Sequence, residues 1–316
     1  MASQPTRIPS IVYFNRATKY FENNDYPNAE INFFLALRLG DLAEPFMSEA
    51  CNYIGYIKLD SGNYLDAVRY YNRALSSGLL DHAQTVCAKY HRGMANNKLG
   101  NYQTVISDLT FAINSGILHP YELGLAYIAR GMLRCDHGQY IQAVSDLTLS
   151  IDNHLVSSEM EGEARHCRAK SRFELKQYKE ALEDISFIIH SDLPEIYLNA
   201  VQNILSKFPR DVVLDCFTTG VQRLQAGNYL QAEAYFTAVI FYLDIPEETR
   251  ALALINRCEV RLKLGKPEPA GVDITGCIDV NLVSPETRAA LEKYITIPVS
   301  DAVTATEDST PSCRPG

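Results

Sequence analysis

Residues 88–109 read AKYHRGMANNKLGNYQTVISDL, and residues 126–147 read AYIARGMLRCDHGQYIQAVSDL. The two stretches start 38 residues apart and share an Arg-Gly pair, a Gly-x-Tyr tripeptide and a closing Ser-Asp-Leu. Self-similarity at a fixed period of this size is the signature of a repeat architecture. Outward from these two copies the tripeptide recurs as Asn24-Asp25-Tyr26, Gly62-Asn63-Tyr64, Lys176-Gln177-Tyr178 and Gly227-Asn228-Tyr229. The tyrosines at 26, 64, 102, 140 and 178 are each 38 residues apart; the next step, from 178 to 229, is 51, and Gly265-Lys266-Pro267 restores the interval of 38.

Each tripeptide reads as a turn between two helices. A small residue stands three places after the Tyr (Ala29, Ala67, Val105, Ala143, Ala181, Ala232, Ala270), and another nine places before it (Ala17, Gly55, Gly93, Gly131, Ala169, Gly220, Cys258). Glycine inside a helix costs about 1 kcal/mol against alanine, so the glycines at 55, 93, 131 and 220 need a packing reason. The spacing predicts that the two backbones of each pair approach closely there. Gly40, Gly78 and Gly116 read as left-handed residues closing the second helices, with Leu42, Leu79 and Ile117 supplying the hydrophobic contact that accompanies such an end. Pro45, Pro120, Pro194, Pro246 and Pro285 mark helix starts, where a missing N–H costs nothing.

Arg92, Arg130, Arg168 and Arg257 each precede a small first-helix residue, and Asp108, Asp146, Asp184 and Asp273 follow sixteen residues later. Where the Arg gives way to Ile54 or Thr219, the partner place holds Tyr70 or Tyr235. The constant offset predicts that the two places face each other across the hairpin, as an ion pair in four copies and an apolar contact in two. The first copy departs, with Arg16 opposite Asn32.

Hydrophobic residues make up 47% of the 316 and charged residues 21%, a composition that builds a core. Apolar runs stay short of the roughly 18–20 residues of a membrane helix, and Met1–Ser10 lacks the apolar stretch of a secretory signal. The formal charge of −9 opposes nucleic acid or an anionic membrane as the main partner. The eight cysteines, at 51, 87, 135, 167, 216, 258, 277 and 313, form no CxxC pair, so they read as small core residues rather than metal ligands or disulfides. A reducing, cytoplasmic compartment follows; a secreted bacterial effector acting in a host cytosol fits the same chemistry. Phosphate loops, GxSxG and HExxH are missing. Neighbours on a helix point about 100° apart, so His166-Cys167 is no nucleophile pair. Neither catalysis nor a cofactor is expected.

These residues resemble the tetratricopeptide repeat over about residues 11–282, in seven copies; the second shows Ile54-Gly55, Gly62-Asn63-Tyr64, Ala67, Tyr71 and Ala74 in the family's places. The family's usual period is about 34, against 38 here. Its usual aromatic at the eleventh place is replaced by Lys58, Asn96, Arg134, Arg172, Arg223 and Arg261, with Tyr20 conforming. The resemblance implies an all-α fold, a right-handed superhelical solenoid of antiparallel helix pairs. The expected organisation is a flexible N-terminus (1–10), five pairs (11–193), an extra helix in the insertion (194–210) that breaks the array, two pairs (211–282), a capping helix (283–296) and a disordered tail (297–316). Ligands of the family lie on the concave face of the first helices, which here implies a groove of Asn52, Tyr56, Tyr90, Met94, Ile128, Met132, His166 and Lys170, continued by Phe217 and Val221. Its apolar middle suits an amphipathic helix or an extended peptide; the same residues also suit closing the inside of a tight superhelix. The family's carboxylate-clamp subclass needs cations where this chain has Phe14, Thr18, Tyr53, Cys87 and His91. The expected role is a scaffold or adaptor for a protein partner, with a self-associating structural protein or a regulatory subunit of an enzyme complex as alternatives.

Overall fold

A computed structural model describes residues 8–191 and 195–279. The expected capping helix, with Pro285, and the tail lie outside these residues, as do Pro194 and most of the N-terminal segment. The described residues are helical, with no strand among them, and the chain divides into two units between Ser157 and Ser158. The first unit pairs α1 (Ser10–Glu22) with α2 (Tyr26–Leu39), α3 (Glu44–Asp60) with α4 (Tyr64–Ser76), α5 (His82–Leu99) with α6 (Tyr102–Asn114), and α7 (Pro120–Asp136) with α8 (Tyr140–Asp152). The second pairs α9 (Ser158–Glu174) with α10 (Tyr178–His190), adds α11 (Glu195–Leu205), then pairs α12 (Arg210–Gln225) with α13 (Tyr229–Phe241) and α14 (Glu247–Lys263) with α15 (Pro267–Asp279). Each unit is a stack of helix pairs, an α solenoid. No helix among the described residues is long and apolar enough to cross a membrane.

The tripeptides are the turns inside the pairs. Gly62 has φ +75°, a backbone that L side chains avoid, and the same turn is reached with Lys176 at φ +61° in the fifth pair. Asp25 and Asn63 then cap the second helices by accepting from the N–H groups of Asn28 and Asp66. Gly40, Gly78 and Gly116 are left-handed as expected, but Leu79 and Ile117 are exposed. The hydrophobic contact comes one residue later, from Leu80 and Leu118, which pack on the core.

The in-helix glycines serve a different contact from the one expected. A Cβ on Gly55 would lie 2.9 Å from the Tyr71 ring, and one on Gly131 would lie 2.8 Å from Leu147. Gly93 and Gly220 meet Leu109 and Phe236 in the same way. The first helix thins not for its partner's backbone but for one large, fully buried side chain sixteen residues on.

In the second unit α11 packs on α9, α10 and α13. A single apolar core runs from Ala169 through Val201, Leu205 and Phe208 to Val260. The inserted helix therefore joins the fifth pair to the sixth instead of breaking the array, and the boundary falls earlier, after the fourth pair. Phe208, just after α11, anchors it to the fifth pair by lying between Phe173 and Tyr178, with ring centroids 5.5 and 5.2 Å away, and α10 and α11 both pack on α13 of the sixth.

Candidate functional site

The expected Arg/Asp pairs form, and burial makes them structural. Arg130 donates through Nε and Nη2 to the two carboxylate oxygens of Asp146 at 2.9 and 2.7 Å; Arg92–Asp108 and Arg257–Asp273 repeat this fork. Arg168 donates to Asp184 through Nη2 at 2.6 Å and Nε at 3.0 Å. The remaining Nη1 reaches back twenty residues to the preceding pair, from Arg92 to Asn72, Arg130 to Thr110 and Arg257 to Thr237. A second arginine, at the eleventh place, closes on the same carboxylate: Arg134 on Asp146, Arg172 on Asp184 and Arg261 on Asp273. Such bidentate, charge-assisted bonds fix geometry as well as energy. In the two copies without the Arg, Ile54 and Tyr70 pack into one cluster and Tyr235 enters the core of its unit.

The first helices of the first unit touch in sequence, α1 on α3, α3 on α5 and α5 on α7, which lays their inner residues side by side. Of the eight predicted groove residues, Asn52, Tyr56, Met94 and Met132 lie on α3, α5 and α7 of this unit, each half-buried. Tyr90 and Ile128 are only 5% exposed and offer no open side chain; Tyr90 packs in a cluster with Val86, Leu109 and Ala126. His166 and Lys170 belong to α9 of the second unit, both half-buried, with the His166 ring 6.3 Å from Tyr197 of α11. Phe217 and Val221 pack against that unit's core.

An aromatic floor underlies the first-unit residues. The His91 ring lies 5.2 Å from Tyr56, 5.0 Å from Tyr90 and 6.2 Å from Tyr71. Burial lowers the His91 pKa, opposed by the Glu122 charge and a bond with the Cys87 backbone, so the ring is neutral at pH 7. Burial raises the Tyr56 phenol, with help from Tyr26. The Tyr71 hydroxyl is buried without a hydrogen-bond partner. Sequence reasoning missed this floor, although Tyr71 sits where Leu109 and Leu147 sit in the next two pairs. Burial also holds the thiols of Cys216 and Cys258 up, to about 12 and about 11.

Helix pairs closed by Gly-x-Tyr turns, with small first-helix residues seating large second-helix side chains, give each unit an α-solenoid fold that resembles the tetratricopeptide repeat. No protein-family model matches the chain, and no curated protein does. Among solved structures it is similar to a tetratricopeptide repeat protein from Parabacteroides merdae, with a TM-score of 0.47, 17% identity and coverage of 90% of this chain and 98% of that one. It is also similar to the P58(IPK) TPR domain, with a TM-score of 0.26, 15% identity and coverage of 95% of this chain and 90% of that one.

Proposed function

We propose that the chain is a protein-binding scaffold and that its partner lays an apolar segment along the inner face of the first unit. The observation that carries this reading is the row of half-open side chains, Tyr56, Met94 and Met132, on α3, α5 and α7, each in contact with the next. Methionine is adaptable enough to accept different apolar side chains, and completing the burial of each such residue contributes up to about 2 kcal/mol. Asn52 at the end of the row supplies an amide that can fix the direction of a bound main chain. The charge of −9 favours neutral or cationic segments over nucleic acid.

Panning a random peptide library against the full chain tests this. Recovered peptides should carry spaced apolar residues and lose binding to a Met94→Glu/Met132→Glu variant that keeps the wild-type melting temperature. Peptides that bind both proteins equally, or no recovered peptide, would remove the groove from consideration.

A further inference from the structure

We propose that a basic side chain of the partner protein seats where α1 meets α3 on this inner face, over the Tyr53 and Tyr56 rings and beside Glu22, Glu49 and Asp60. The proposal rests on the reading of that face as a protein-binding surface and adds the charge of the bound segment. Four half-buried rings gather there. The Phe21 centroid lies 4.8 Å from that of Tyr53 and 5.4 Å from that of Tyr56, and Tyr26 lies 6.0 Å from Tyr56. Tyr53 also stacks on the buried Phe33, which fixes its ring.

Carboxylates flank these rings. Residues four apart on a helix are neighbours on its surface, which puts Glu49 beside Tyr53 and Asp60 beside Tyr56 on α3, while Glu22 ends α1 next to Phe21. Their fields reach the phenols: burial raises Tyr53, and the charges of Glu49 and Glu22 raise it further. Burial, Tyr26 and the Asp60 charge do the same for Tyr56. Glu22 and Asp60 are exposed and Glu49 is half-buried, and among the described residues none of the three forms an ion pair. Carboxylates alone would be satisfied by water. The rings beside them offer negative faces to a cationic head and apolar surface to the methylene stem of a lysine or arginine.

The internal repeat sets this end apart. In α7 the places of Tyr53, Tyr56 and Phe21 hold Ala129, Met132 and Cys135. In α5 the place of Glu22 and Asp60 holds Lys98; Asp136 restores the acid in α7, without the rings. A basic residue is therefore favoured at the α1–α3 end and repelled one helix further along. The bound segment gains a direction, with its cation over Tyr53 and Tyr56 and its apolar residues over Met94 and Met132.

The test is an NMR titration of the full chain, labelled at its tyrosine rings, with Nα-acetyl-arginine methylamide. Its citrulline counterpart, which keeps the shape without the charge, is the control. The Tyr53 and Tyr56 signals should shift saturably with arginine, and with citrulline only at about tenfold higher concentration. Glu22→Gln/Glu49→Gln/Asp60→Asn should weaken arginine binding about fivefold and leave citrulline unchanged. Equal response to the two probes, no saturable shift at these rings, or undiminished arginine binding by the triple variant overturns the proposal. If that variant does not fold, the contrast between the probes on the wild type decides alone. The apolar row is judged separately. Panned peptides that need Met94 and Met132 yet show no enrichment in basic residues overturn the cation site and leave the row standing. Arginine-specific ring shifts without any recovered peptide uphold the site and remove the row.

Discussion

The first unit holds four copies at one interval, and its interior falls into separate clusters, among them one around Phe14 and Phe33, one around Tyr71 and one around Leu109. The second unit interrupts the interval with α11, and one large cluster there reaches from Ala169 to Val260, beside a smaller one around Cys258, Ala270 and Ile274. It also buries a charge that the first unit lacks at most equivalent places. Glu233 accepts from His190 at 2.7 Å and from Arg261 at 2.7 Å, where Val68, Ile106 and Val144 stand in the first unit. Regular spacing thus yields layers that each rest on their neighbours, whereas around the inserted helix one core extends from the fifth pair through the sixth to α14.

This shared core should fail as a whole when its keystone is removed. Phe208→Ala should cost about 3–5 kcal/mol, read as a fall in denaturation midpoint, with hydrogen-exchange protection lost together across α9–α14. Loss confined to α11 would break the contrast between the units. Asp184→Ala abandons Arg165, Arg168 and Arg172 in a buried place and should cost roughly 3–4 kcal/mol. Asp108→Ala strands the more exposed Arg92 alone and should cost about half as much. Equal melting shifts for the two variants would show that the second arginine adds nothing.

Acid should separate the units as well. Burial alone would raise the Glu233 carboxyl, but hydrogen bonds from His190 and Arg261, together with their charges, hold it down at about 2. A depressed carboxylate stabilises the fold above its unfolded value of about 4.3, and that contribution is lost as pH falls from there to about 2. The loss is roughly 3 kcal/mol, and Glu233→Gln should abolish this acid-dependent part of the melting profile. A profile unchanged by the substitution would detach Glu233 from the second unit's stability. The smallest effect concerns a turn. Lys176→Gly relieves a left-handed non-glycine residue and should add about 0.5–1 kcal/mol; no gain would mean that the Lys176 side chain compensates for its backbone.

The turns and the Arg/Asp pairs were legible in the sequence because each is fixed by a short offset within one hairpin. The extra helix was legible in the helical spacing of Leu198, Val201, Ile204 and Leu205, but its packing was not, since that depends on Phe208 finding Phe173 and Tyr178, and on α11 meeting α13, at a distance along the chain. Burial on the inner face was hidden for the same reason. Asn52, Tyr90, Ile128 and His166 share one helical position, and whether such a residue is open depends on the neighbouring pair. The arginines at 134, 172 and 261 stood out only as departures from a family pattern, because their shared carboxylate lies on the other helix, twelve residues on.

The backward reach of the first arginine has a consequence for the length of the chain. Arg92 finds Asn72 and Arg130 finds Thr110, so the third copy carries both a plug for the copy before it and a socket for the copy after it. A tandem copy of residues 82–119 would place its own Arg92 opposite the first copy's Thr110 and present a second Thr110 to Arg130. The sentence lengthens by one 38-residue word without a change of grammar.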